Sequence, residues 1–153
     1  MSATVSAIAL PAHAGSSTVN WSRFALVGPG TVVAAAAANA LFYFVAGTVV
    51  AYNAAFLPLA SVGGPIIMTL GPAIVAVLLY AALLRFTQQP ARIFTIISAI
   101  VFVISMIPVF TYIPTVPGAT DMQIAALLVM HVVAAGVIVA LLTSVRRTSS
   151  WAS

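Results

Sequence analysis

Between Thr31 and Val145 the chain carries only three charged residues, Arg85, Arg92 and Asp121, and these divide an otherwise apolar sequence into long uncharged runs. Four of the runs are long enough to cross about 30 Å of hydrocarbon at 1.5 Å per residue. They extend roughly over 31–52, 66–84, 93–112 and 122–145. A segment in lipid has to satisfy its own backbone polar groups, and the alternating pattern of barrel strands is absent, so the runs are predicted to be helices. The expected fold is all-α and integral to the membrane, an antiparallel four-helix transmembrane bundle with short connections.

Composition closes off the soluble alternatives. Charged residues make up 4% of the chain and hydrophobic ones 63%, whereas a soluble domain is about 25% charged. The net charge of +4 comes from isolated or paired arginines beside apolar spans, not from a basic solvated face, so no nucleic-acid partner is expected. The absence of cysteine removes disulfides, thiolate metal sites, iron–sulfur ligation and thiol redox chemistry.

The punctuation fits four spans. Gly28-Pro29-Gly30 is expected to break the chain before the first, and Gly63-Gly64-Pro65 precedes the second, with Pro65 in a first turn. Gln88-Gln89-Pro90 makes the second turn, while Pro114, Pro117 and Gly118 mark the third. Asp121 suits the start of the fourth span as its N-cap.

Threading four spans places the N-terminus, the 85–92 turn and the C-terminus on one side. That side collects every basic residue, Arg23, Arg85, Arg92, Arg146 and Arg147. The positive-inside rule makes it the cytoplasmic side. Trp21 and Trp151 sit near the cytoplasmic ends, and Tyr52 and Tyr112 near the outer ends, as interface anchors. Residues 1–22 read as a cytoplasmic tail, 23–147 as the membrane domain and 148–153 as a second cytoplasmic tail. Ala12-His13-Ala14 has the look of a cleavage site, but the basic and apolar regions of a signal peptide are missing, so the tail is expected to stay attached. The apolar outer connection places Phe56, Leu57 and Leu59 in the interface or against a partner.

Polar residues at depth are the candidates for function. Asn39 lies mid-way along span one among alanines, Pro72 in span two frees the carbonyl of Met68, and His131 lies well inside span four. Ser98 and Ser105 are a heptad apart in span three, with Thr95 on the same face. These residues, Asn39, Pro72, Ser98, Ser105 and His131, form an expected packing or polar cluster. His131 has a functional alternative as axial ligand of a haem or chlorophyll-type tetrapyrrole, with Met68, Met106 or Met130 as a second ligand. Its structural alternative is a hydrogen bond to Asn39, to the freed Met68 carbonyl or to Ser105. The Ala that light-harvesting helices place four residues before such a histidine is Leu127 in this chain. No carboxylate pair, Ser-His-Asp set, HExxH or Gly-rich phosphate loop is present, so no catalytic residue and no enzyme activity are expected.

Four spans, an Asn in an Ala-rich first span, Gly71-Pro72 in the second and Met130-His131 in the fourth resemble a family of small bacterial membrane proteins classified only as a domain of unknown function. The resemblance runs from Trp21 to Arg147, implies the four-span fold and implies no activity. The leading expectation is a non-catalytic accessory or scaffold subunit of a respiratory or photosynthetic type membrane complex, with lipids and other membrane subunits as partners. A cofactor-binding protein using His131 and a small transporter or channel are the alternatives.

Overall fold

A computed structural model describes residues 17–145 and 147–149. The expectations for His13, Arg146 and Trp151 fall outside those residues. Four helices form the body: α1 (Trp21–Ala46), α2 (Gly63–Phe86), α3 (Pro90–Thr111) and α4 (Asp121–Thr143). Each is long and apolar enough to cross a membrane. A single 3₁₀ turn, Ile113–Thr115, lies between α3 and α4. Short strands β1 (Ser17–Val19) and β2 (Arg147–Ser149) flank the bundle and pair antiparallel, Thr18 opposite Thr148.

Sequential helices run in opposite directions. Gly28 of α1 faces Val77 of α2, while Asn39, further along α1, bonds Thr69, further back in α2. A turn of residues 87–89 reverses α2 into α3, with Pro90 in the first turn of α3. Gln123 at the start of α4 reaches the carbonyl of Ala51 just beyond α1 (3.1 Å).

The first helix departs from its expected span. It starts at Trp21 and not at Thr31, and Gly28-Pro29-Gly30 lies inside it. Pro29 costs the helix one bond, to the Ala25 carbonyl, but the proline is exposed and the helix continues through it. Asn20 caps the start by accepting from the Arg23 N–H (2.9 Å), and the Thr31 hydroxyl donates to the Val27 carbonyl (2.7 Å). Gly28 is a close packing contact, since a Cβ there would stand 3.1 Å from Val77. The helix also ends early, at Ala46. Tyr52, expected as an outer anchor, folds back, stacks on Tyr43 at 4.4 Å and donates its hydroxyl to the Tyr43 carbonyl (2.8 Å). Burial first, and Tyr43 second, push the Tyr52 phenol above its ordinary pKa, which keeps it a donor.

The N-cap of α4 is Thr120, extended in backbone, whose hydroxyl accepts from the Gln123 N–H (3.4 Å). Asp121, expected as the cap, is the first helical residue, exposed at the positive end of the helix dipole.

The core is divided between the two ends of the bundle. At one end Tyr80, Leu84, Phe94, Leu142 and Val145 pack together, with Tyr80 meeting Phe94 edge-on at 5.0 Å and donating to the Val145 carbonyl (2.8 Å). At the other end Phe56 and Leu59 are fully buried against Ala126 and Met130. This corrects the expectation that both residues face the interface or a partner: they close their own bundle, and of the three only Leu57 is exposed.

Candidate intramembrane ligand site

Between the two core clusters the helices leave a cleft of about 340 Å³. All five residues of the expected polar cluster line it: Asn39 from α1, Pro72 from α2, Ser98 and Ser105 from α3 and His131 from α4. Met68 and Val75 on α2 and Val101 on α3 also line the cleft while being 70%, 64% and 57% exposed. Its mouth therefore opens sideways between α2 and α3, toward lipid in a chain that spans the membrane. Phe94 and Met130 contribute wall from the two end clusters.

The cleft persists because α3 is anchored only near its ends. Its buried residues are Pro90, Phe94 and Val109, and none lies between them. Pro72 adds a second cause, because a helix interrupted at residue 72 cannot pack flat along its neighbours.

Polar geometry in the wall is specific. The Thr69 hydroxyl donates to the Pro65 carbonyl (2.7 Å), so its oxygen must accept from the Asn39 Nδ2, also at 2.7 Å. That chain fixes the amide orientation and leaves Asn39 Oδ1 buried without a partner. Ser105 spends its proton on the Phe102 carbonyl (2.7 Å). His131 does not bond any of its three expected partners. Its Nδ1 lies 2.8 Å from the carbonyl of Leu127, one turn back on its own helix. A carbonyl only accepts, so in the neutral ring the proton sits on Nδ1 and Nε2 keeps its lone pair. Nε2 has no hydrogen-bond partner among the described residues.

Thr95, expected on the same face as Ser98 and Ser105, is exposed and turns its hydroxyl back to the Ala91 carbonyl (2.8 Å). Thr69 was missed by the sequence reading, yet it is the sole hydroxyl-bearing aliphatic residue of α2 and stands four residues after Pro65. Among the described residues no group of three or more His, Cys, Asp or Glu could hold a metal ion.

The topology residues gather away from this site. Trp21 meets Phe24 edge-on at 5.9 Å at the start of α1, and Arg23 is exposed beside it. Arg85 in the last turn of α2 lies 6.0 Å from the Phe86 ring centre, and Arg92 in the first turn of α3 reaches Gln89 at 3.5 Å. Arg147 belongs to β2.

Residues 18–148 match a protein family described as a family of unknown function (DUF6069). No curated protein and no solved structure matches the chain.

Proposed function

This chain belongs to the DUF6069 family, a family of unknown function, and on that premise we propose that it is a small non-catalytic membrane protein that holds a lipophilic ligand in the cleft between α2, α3 and α4. The observation that carries the reading is His131: it lines a mostly apolar cleft with Nδ1 held by the Leu127 carbonyl, which leaves the lone pair of Nε2 uncommitted. Binding pockets are concave, mostly apolar and furnished with a few oriented polar groups, over about 300–1,000 Å³. The cleft falls at the small end of that range, which suits a compact head group with its tail in the mouth better than a whole macrocycle. A histidine whose Nδ1–H is held by a backbone carbonyl is also the usual form of a metal-ligating imidazole, which keeps a tetrapyrrole among the candidate ligands.

The test is the lipophile that copurifies with the protein in mild detergent. Ala135 lines the cleft, and Ala135→Phe would fill it. A defined lipophile retained by the wild type and lost from the folded variant supports the reading; identical extracts from both overturn it. A visible absorption band lost in His131→Ala would name a tetrapyrrole.

An accessory-subunit role is favoured by a separate feature. The middle of α3 is uncovered, with Ile96, Ile100, Val103, Ile104 and Ile107 all more than half exposed. Apolar exposure of this kind serves lipid or another subunit equally, so the mass of the extracted particle decides: a large defined assembly makes the chain a subunit, and a particle of one or two chains removes that reading. We place both ends of the protein on the cytoplasmic side on the strength of its arginines, and the membrane as a bacterial inner one on the strength of the family resemblance alone.

A further inference from the structure

We infer that the ligand of the cleft is a neutral lipophile that donates a hydrogen bond, through a hydroxyl or N–H group, to Nε2 of His131. The inference rests on the ligand-cleft reading and adds the chemistry of the head group.

The polar atoms of the wall are almost all acceptors. His131 has committed its one ring proton to the Leu127 carbonyl, so Nε2 accepts. Ser105 has committed its proton to Phe102, so its oxygen accepts. Thr69 has committed its proton to Pro65, and its remaining capacity receives Asn39. The one amide atom of Asn39 without a partner is again an acceptor, Oδ1. Ser98 is the single wall hydroxyl for which no committed proton is seen among the described residues. No arginine and no carboxylate lines the cleft, so nothing there neutralises a charged head group, and burying a charge without a partner is prohibitive. A ketone, ester or ether head could find a donor in the Ser98 hydroxyl but would leave Nε2 unmet, whereas a hydroxyl or N–H satisfies Nε2 directly.

Two sources offer this chemistry: the hydroxyl of a neutral lipid and the phenolic hydroxyl of a lipid-soluble aromatic. The probe pair is para-octylphenol and its methyl ether, para-octylanisole, which differ by the donor. Each is titrated into full-length protein in lipid nanodiscs and followed by NMR of ring-labelled histidine. The chain has two histidines, and His131→Phe identifies which signal belongs to the cleft. The phenol should move the His131 Nε2 resonance and bind about tenfold tighter than the ether, the worth of one net hydrogen bond. In His131→Phe the two probes should compete equally for the cleft against a fluorescent lipophile. Equal binding of phenol and ether to the wild type overturns the donor inference and leaves the cleft reading standing. Binding of neither overturns both. Dioleoylglycerol and a short-chain quinol then serve as competitors: the stronger one assigns the donor to a lipid or to an aromatic hydroxyl, and failure of both to displace the phenol sinks the inference.

Discussion

At the scale of single residues, the contact that joins α1 to α2 is a hydrogen-bonded relay rather than an isolated pair. Pro65 C=O, Thr69 Oγ1 and Asn39 Nδ2 are linked at 2.7 Å each, and the relay ends in the unmatched Asn39 Oδ1. Interhelical hydrogen bonds in membranes are worth only about 0.6 kcal/mol on average, but an amide stranded in the interior costs about 1–3 kcal/mol. Thr69→Val strands the whole Asn39 amide and should destabilise by about 2 kcal/mol on that scale. The double change Asn39→Leu with Thr69→Val removes the stranded groups together and should cost less than Thr69→Val alone. Unfolding in bicelles measures both; a double variant whose loss equals or exceeds the sum of the singles refutes the relay. Asn39 and His131 were legible in the sequence because polar atoms in an apolar run are conspicuous. Their partners were not, because a side chain that reaches back one turn, as His131 does to Leu127, leaves no long-range signature.

Among the elements, the outer connection behaves as a cap and not as a tether. Phe56 and Leu59 are fully buried and Leu57 is 77% exposed, so three neighbouring apolar residues have opposite fates. Phe56→Ala should cost about 3–5 kcal/mol by opening a cavity over Met130, and Leu57→Ala should stay within about 0.5 kcal/mol. Equal melting shifts for the two would mean the cap does not seat. Gly64 permits its fit. At Gly64 a Cβ would stand 2.4 Å from the Pro58 carbonyl oxygen, too close for the turn to survive, whereas at Gly136 nothing lies within 4 Å. Gly64→Ala is therefore expected to lower the melting temperature sharply. Gly136→Ala, in the interior of a helix, should be neutral or raise stability by up to about 1 kcal/mol. The existence and order of the four helices could be read from length and hydropathy, but the cap could not. An apolar loop that covers its own bundle and one that faces lipid have the same composition. The start of α1 was misplaced for a related reason: Gly-Pro-Gly is a strong breaker in water, yet in this helix Gly28 is a packing contact and Pro29 is exposed where its lost bond does little harm.

For the whole molecule, the arrangement of ends gives the argument for orientation a geometric basis. The β1–β2 ribbon, the residue 87–89 turn and the Tyr80–Val145 bond all belong to one end of the bundle. Arg23, Arg85, Arg92 and Arg147 lie in the elements of that end. The opposite end carries the cap, the 3₁₀ turn and Asp121. If the arginine end is cytoplasmic, the cap and the deep side of Gln123 face outward, and the mouth of the cleft opens within the bilayer between them. Single cysteines read by a membrane-impermeant maleimide on intact cells decide this, since the chain has none of its own. Gly118, at the tip of the third connection, is a poor position despite its place: its φ is +76° and a Cβ there would crowd Asn53, Ala55 and Phe56 at 3.0–3.1 Å. Thr115 and Gln89 are exposed at opposite ends and suit the purpose. Thr115→Cys should label on intact cells and Gln89→Cys only after permeabilisation. The reverse pattern would put the arginine side outside, break the positive-inside argument, and turn the cap toward the cytoplasm. Labelling of both on intact cells would mean that the helices do not all cross, and a lateral cleft at mid-membrane depth would then have no lipid to draw its ligand from.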